Sequence, residues 1–255
     1  MTLINYIILI FIFLYGITLG SFFNVVGLRV PEGQSIVKPR SACPNCRQQL
    51  RPWDLVPVFS YVFLRGKCRG CRTRISPIYP ITELLTGILF AMAPAVLGWS
   101  WELVVAWTLI SLFMIIFVSD IHYMIIPDKI LLVFAGIFLV ERVLWPLSPW
   151  WDSLLGAAVG FILLLLIALV SKGGMGGGDI KLFAVIGFAV GTKLVLLSFL
   201  LATLFGAVFG VLALMLKLVK RRQPIPFGPF IALGTLVAYF YGSELIDLYL
   251  NLFYS

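Results

Sequence analysis

The sequence predicts an all-α membrane protein, a polytopic bundle of about eight transmembrane helices with one four-cysteine loop outside the hydrocarbon. Two observations on composition and one on pattern predict this. Apolar residues make up 61% of the 255 positions and charged residues only 12%, against roughly 45–50% and about 25% in soluble domains. Mean hydropathy is +1.07. The apolar residues fall in runs near 3–28, 80–98, 101–119, 129–146, 152–171, 180–191, 194–216 and 228–252, most of them close to the roughly 20 residues a helix needs to cross a bilayer.

The first run, Leu3 to Leu28, is longer than the apolar region of a cleaved signal. It has no basic stretch before it and no small-x-small site after it, so it reads as a retained helix. The sixth run is short and continues from a glycine cluster. It reads as a half-helix buried in protein rather than a lipid-facing span. The one sizeable segment outside the membrane is Arg29 to Tyr79. The chain therefore divides into a first span (1–28), a loop (29–79) and a helical core (80–255).

Net charge is +8. With eight crossings, seventeen Lys and Arg residues fall on the side of the loop, ten of them within it. Only Arg142 and Lys193 fall on the other side. The positive-inside bias makes the loop side cytoplasmic. This distribution explains the charge without nucleic acid, and leaves anionic lipid headgroups as a partner for the loop. It also places Asp120, at the end of the third run, and Asp179, at the start of the sixth, on the same cytoplasmic face.

Asp120 lies in Ser-Asp-Ile-His-Tyr-Met-Ile-Ile-Pro-Asp128, and Asp179 follows Gly176-Gly177-Gly178. A carboxylate at a span end is costly unless solvated or paired. Two close carboxylates share a proton: the ionised one activates water and the protonated one protonates the scissile amide, the division of labour in an aspartic protease. Gly176 and Gly178 allow close backbone approach beside the acid. Each acid also has an ordinary reading, Asp179 as a favourable charge at a helix N-terminus and Asp120 as a wetted helix end. Asp128, after Pro127, reads as a helix-entry cap or as support for the site. His122 reads as a polar tip at headgroup level.

Cys43-Pro-Asn-Cys46 and Cys68-Arg-Gly-Cys71 form two CxxC pairs with 21 residues between them. Two such knuckles suit a tetrahedral four-thiolate zinc site; a CxxC redox pair is the other reading. Structural disulfides are disfavoured in a reducing cytoplasm. Four thiolates leave no open position on the metal, so its role would be to fold a loop too short for its own core.

These motifs, taken in order, resemble the bacterial type IV prepilin peptidases, the prepilin leader peptidase and N-methyltransferase family. The resemblance runs nearly end to end: Gly20-Ser-Phe-Phe-Asn24, Arg29-Val-Pro31, the two CxxC pairs around Trp53-Asp54-Leu-Val-Pro57, Ile75-Ser-Pro77, Tyr79-Pro80-Ile-Thr-Glu83-Leu-Leu-Thr-Gly87, Asp120 to Asp128, and Gly176-x-Gly178-Asp179. It implies that Asp120 and Asp179 are catalytic, that the substrates are type IV prepilins and pseudopilins of pilus, competence or secretion systems, and that the basic leader is cut on the cytoplasmic side of the inner membrane. It further implies that the new N-terminus is methylated from S-adenosylmethionine and that the cysteine loop serves this second activity. Glu83 and Gly87 are the candidate methyltransferase residues. Glu83 also reads as a helix cap or as partner of a loop arginine, and Asp54 as a solvated loop acid. Two rival classes compete. An ion-coupled transporter would show paired repeats and acids near the midplane; a noncatalytic zinc-loop scaffold would tolerate Asn at both aspartates.

Overall fold

The structure is a computed structural model that describes residues 3–171, 174–220 and 224–254. Gly173 of the glycine cluster and the basic residues Lys172, Arg221 and Arg222 lie outside the described residues. Nine α-helices and one short 3-10 turn are present among the described residues, with no strand beyond two isolated bridges. In lipid every backbone polar group needs an internal partner, which helices provide.

The chain forms two compact units, Met1–Trp99 and Ser100–Ser255. In the first, α1 (Leu3–Arg29) packs on α3 (Ile78–Leu97), and between them lie a 3-10 turn (Pro52–Leu55) and the five-residue α2 (Phe59–Phe63). The two long helices touch through glycine. A Cβ at Gly20 would sit 2.7 Å from the Cα of Glu83, and one at Gly87 would sit 2.5 Å from Ile17. α3 therefore belongs with α1 and the loop, and the boundary lies near residue 100 rather than at 80. α3 stops at Gly98, whose φ of +67° a side chain would disfavour.

The second unit holds α4 (Glu102–Tyr123), α5 (Asp128–Leu144), α6 (Asp152–Val170), α7 (Gly177–Val190), α8 (Thr192–Met215) and α9 (Gly228–Tyr254). α4 is its central helix, with Leu109, Ile110, Leu112, Phe113 and Ile116 all buried. A helix apolar on every side and buried on most of them is a core element. It packs on α9 and α5, while α7 packs on α6 and α5. α6 and α8 instead expose large apolar side chains such as Leu166, Val170, Leu200 and Val211, as lipid-facing surfaces do.

All eight expected runs are helices, displaced by a few residues at their ends. Six are long and apolar enough to cross a membrane by length and composition. The other two are shorter: α5 has 17 residues and α7 has 14. At 1.5 Å per residue α7 spans only about 21 Å, less than the roughly 30 Å of hydrocarbon. Its buried residues, among them Leu182, Phe183, Ile186 and Ala189, make it the protein-enclosed half-helix that the glycine cluster predicts.

Candidate functional site

In the second unit, three helix ends converge. α4 ends where Met124 takes a left-handed conformation (φ 54°) and its N–H bonds the Asp120 carbonyl. Asp120 is buried, 6% exposed. The connection then runs through Ile126 to Pro127, which opens α5. α7 begins after Gly176, so Asp179 lies in its first turn. Ile126 presses on Gly178: a Cβ there would lie 2.8 Å from the Ile126 side chain. The loop that follows Asp120 thus rests on the backbone that precedes Asp179, and the two carboxylates lie within electrostatic reach of each other.

The third end is the start of α9. The backbone N–H of Gly228 donates to Asp120 Oδ2 at 2.7 Å. A Cβ at residue 228 would stand 2.8 Å from that oxygen and 3.1 Å from Ile116, so only glycine lets the amide reach the acid without displacement. Gly176 is similarly close to Asp179, where a Cβ would meet Oδ2 at 3.1 Å.

Asp128 does not cap α5 with its side chain, as a helix-entry cap would. Pro127 holds the capping position without a side-chain bond, and Asp128 pairs with Lys181 of α7 at 2.7 Å. Lys181 is two residues beyond Asp179, so this exposed pair ties the same loop to the same half-helix. His122 shares its Nδ1 with the Val118 carbonyl at 3.1 Å and remains an exposed residue on the last turn of α4.

In the first unit, the two CxxC pairs are folded alike. Cys43 and Cys68 each donate their N–H to a carbonyl five residues on, Gln48 and Thr73, and each accepts from the N–H of the residue after the second cysteine, Arg47 and Arg72. Both arginines have positive φ, 55° and 60°, and isolated bridges close each knuckle at Ala42–Gln49 and Lys67–Arg74. The four Sγ atoms lie within 4.8 Å of one another, with Cys43–Cys71 at 3.8 Å and Cys46–Cys68 at 4.0 Å. A tetrahedron with metal–sulfur bonds of about 2.3 Å has sulfur–sulfur edges of about 3.8 Å, so the four thiols are positioned to hold a metal ion. The protein already favours charge on two of them. The Thr73 hydroxyl and N–H, with the Asn45 amide, hold the Cys71 thiol down at about 5, and backbone N–H groups of Cys46 and Asn45 lower Cys43. At Cys46 the Gln48 N–H favours the thiolate, but burial and the neighbouring thiols push it up to about 11.

Comparison with known proteins decides the family. Residues 14–97 match the bacterial peptidase A24 N-terminal domain and residues 107–211 the type IV leader peptidase family. A prepilin leader peptidase/N-methyltransferase of Bacillus subtilis is 46% identical over 241 residues, covering 94% of this chain and 97% of the relative. Proteins of the same name from Pseudomonas aeruginosa and Xanthomonas campestris are 32% and 35% identical, each covering over nine-tenths of both chains. The chain belongs to the type IV leader peptidase family. No solved structure matches it. Neither family description and none of these names refers to transport.

For a type IV leader peptidase, the division of features is informative. The segment matching the leader peptidase model contains both Asp120 and Asp179, whereas the N-terminal match contains all four cysteines, Glu83 and Gly87. Glu83 is buried and its Oε2 accepts the N–H of Val58, the residue before α2, at 2.7 Å; among the described residues no arginine pairs with it. Gly87 lies at the crossing with α1, against Ile17 and Phe13. Asp54 is not a solvated acid: its side chain is 7% exposed and bonds Arg69 at 2.7 Å.

Two features of this family member are not evident in the motifs. Gly228 is one, since 108 residues separate it from Asp120; the sequence marks it only as a glycine between Phe227 and Pro229 where the last helix begins. The other lies at the opposite ends of α4, α5 and α7. Arg142, its side chain only 2% exposed, pairs with Glu102 at 2.7 Å and donates to the Ala189 carbonyl. Tyr239 donates to Glu102 at 2.6 Å.

Proposed function

We propose that this protein cleaves the leader from type IV prepilins and pseudopilins at the cytoplasmic face of the bacterial inner membrane, and then N-methylates the new N-terminus. The observation that carries the protease reading is the convergence of α4, α7 and α9, which brings Asp120 and Asp179 within charge–charge reach in a chain of this family. The orientation rests on the seventeen basic residues on the loop side of the bundle. Anionic lipid headgroups at that face are the partners of the basic loop.

In this reading Asp120 is the ionised member, since the Gly228 N–H at the start of a helix favours negative charge on its Oδ2. It takes a proton from water as the water oxygen attacks the scissile carbonyl carbon. Asp179 carries the shared proton and delivers it to the amide nitrogen as the carbon–nitrogen bond breaks. No covalent enzyme intermediate forms. Gly176 keeps the backbone beside Asp179 free of a side chain, leaving room for an extended substrate segment, and Gly178 lets Ile126 pack against the start of the half-helix. The Asp128–Lys181 pair ties the start of α5, just after the loop that follows Asp120, to the half-helix that carries Asp179.

The metal held by Cys43, Cys46, Cys68 and Cys71 is zinc in a structural role, because four thiolates leave no position for water. S-adenosylmethionine supplies the methyl group of the second activity. Glu83 is a residue of that activity, and Gly87 serves it by setting the approach of α3 to α1.

The test is to incubate the purified protein with a prepilin, with and without S-adenosylmethionine, and to weigh the products. The expected result is leader loss in both samples and one added methyl group only where the donor is present. An intact prepilin in both samples overturns the reading.

A further inference from the structure

The first unit contains a cavity of about 280 Å³ bounded by α1, the cysteine loop and the start of α3. This lies just below the roughly 300–1,000 Å³ common for small-molecule sites. Cys43 and Cys68, the two buried cysteines, form part of its wall, and Tyr61 and Tyr79 contribute aromatic surface. Asn24 is fixed at its edge, donating to the Tyr79 carbonyl and accepting from Thr82 at 2.6 Å.

Two carboxylates line this cavity, and they differ in one respect. Asp54 is neutralised by Arg69 at 2.7 Å. Glu83 is 8% exposed and accepts only neutral donors, the Val58 N–H at 2.7 Å and the Ser21 side chain. Among the described residues no Lys or Arg pairs with it. A buried carboxylate with no counter-ion is costly, and a cationic ligand in the cavity would offset that cost.

We propose that this cavity binds the sulfonium methyl donor, with Glu83 facing its positive charge. The inference rests on the methyl-transfer reading above. In the step it supports, the substrate N-terminus first loses its ammonium proton to solvent. The amine nitrogen then attacks the methyl carbon, a nitrogen–carbon bond forms, and the carbon–sulfur bond breaks with its electron pair left on sulfur. The sulfur becomes a neutral thioether, so the attraction to Glu83 falls once transfer is complete, which favours release of the spent donor.

That charge change supplies the test. Binding of S-adenosylmethionine and of the neutral thioether S-adenosylhomocysteine is measured by calorimetry on the zinc-loaded full-length protein and on Glu83→Gln. The variant keeps a carbonyl oxygen for the Val58 N–H. The wild type is expected to prefer the sulfonium. Glu83→Gln is expected to weaken sulfonium binding about 10- to 100-fold, as loss of a charged hydrogen-bond partner does, and thioether binding less than about threefold. Bound metal, measured on the same sample, reports whether the loop is still folded. If Glu83→Gln has lost its metal, Leu64→Trp, which fills the cavity from the end of α2, takes its place and is expected to abolish binding of both ligands. Donor binding that both variants leave unchanged places the donor elsewhere and overturns the inference while the methyl-transfer reading stands. Equal loss of sulfonium and thioether binding in Glu83→Gln overturns the charge-recognition role. Absence of donor binding and of methylated product with the wild type overturns both.

Discussion

The two units build their sites in opposite ways. The first gathers its groups from a short stretch of chain: the cysteines lie between residues 43 and 71, and two knuckles of like geometry bring them together. The second draws Asp120, Asp179 and Gly228 from three helix ends far apart in sequence. A metal can hold the first together even where apolar packing is slight. Only the packing of α4, α7 and α9 can hold the second. Damage to one site should therefore leave the other largely working.

The largest effect is expected at the acids. Asp120→Asn and Asp179→Asn each lower leader cleavage by at least about 10²–10⁴-fold, the range of general acid–base catalysis, while the protein still inserts and still methylates a leader-free peptide. A quantitative cleavage assay on detergent-purified variants reads this; activity within tenfold of wild type removes the pair from the mechanism.

Metal removal comes next. Binding at zinc-finger-type four-ligand sites is worth about 10–16 kcal/mol, so Cys68→Ser or a strong chelator should empty the site and unfold the loop. Elemental analysis should fall from about one zinc per chain to none. Methyl transfer should be lost and cleavage should persist. Freshly reduced wild-type protein without zinc would remove the metal from the account.

Gly228→Ala sits lower. The added methyl group crowds Asp120 Oδ2 and Ile116. Overpacking of this kind costs about 1–3 kcal/mol, which corresponds to roughly 5- to 150-fold if it falls on the transition state. Lower kcat with little change in KM is expected. A change in KM alone would place the residue in substrate binding instead.

The smallest effects are on stability, and they contrast two ion pairs in the second unit. Glu102→Gln strips a partner from the buried Arg142 and should lower the melting temperature measurably. Asp128→Asn breaks an exposed pair, worth at most about 1 kcal/mol. Equal shifts in thermal unfolding would show that the buried network carries no special weight.

Much of this was legible in the sequence, for physical reasons that also explain the gaps. Helix positions follow from apolar length, because the bilayer sets one dimension for every span. The cysteine site follows from spacing, because tetrahedral thiolate ligation fixes the distance between pairs. Glycine at 176 and 178 beside Asp179 was legible as a place for substrate backbone to approach, whereas the packing of Ile126 on Gly178 was not, since that contact joins residues 52 apart. Gly228 was not legible, since a backbone N–H leaves no chemical signature and its partner is remote. Arg142 read only as a basic residue on the side away from the loop, and only the packing of α4 against α5 brings Glu102 to it. The boundary near residue 100 was hidden too, because α3 has the same composition as the helices that follow it, and only the glycines at its crossing with α1 set it apart.

The independence of the two sites is tested by one reciprocal assay. Purified Asp179→Asn and Cys68→Ser proteins are each given a full prepilin and, separately, a leader-free pilin peptide, both with S-adenosylmethionine, and the product masses are measured. Asp179→Asn is expected to leave the prepilin uncut but to methylate the leader-free peptide, and Cys68→Ser to cut the prepilin but add no methyl group. Leader removal by Asp179→Asn at the wild-type rate, or methylation by metal-free Cys68→Ser, would contradict these assignments.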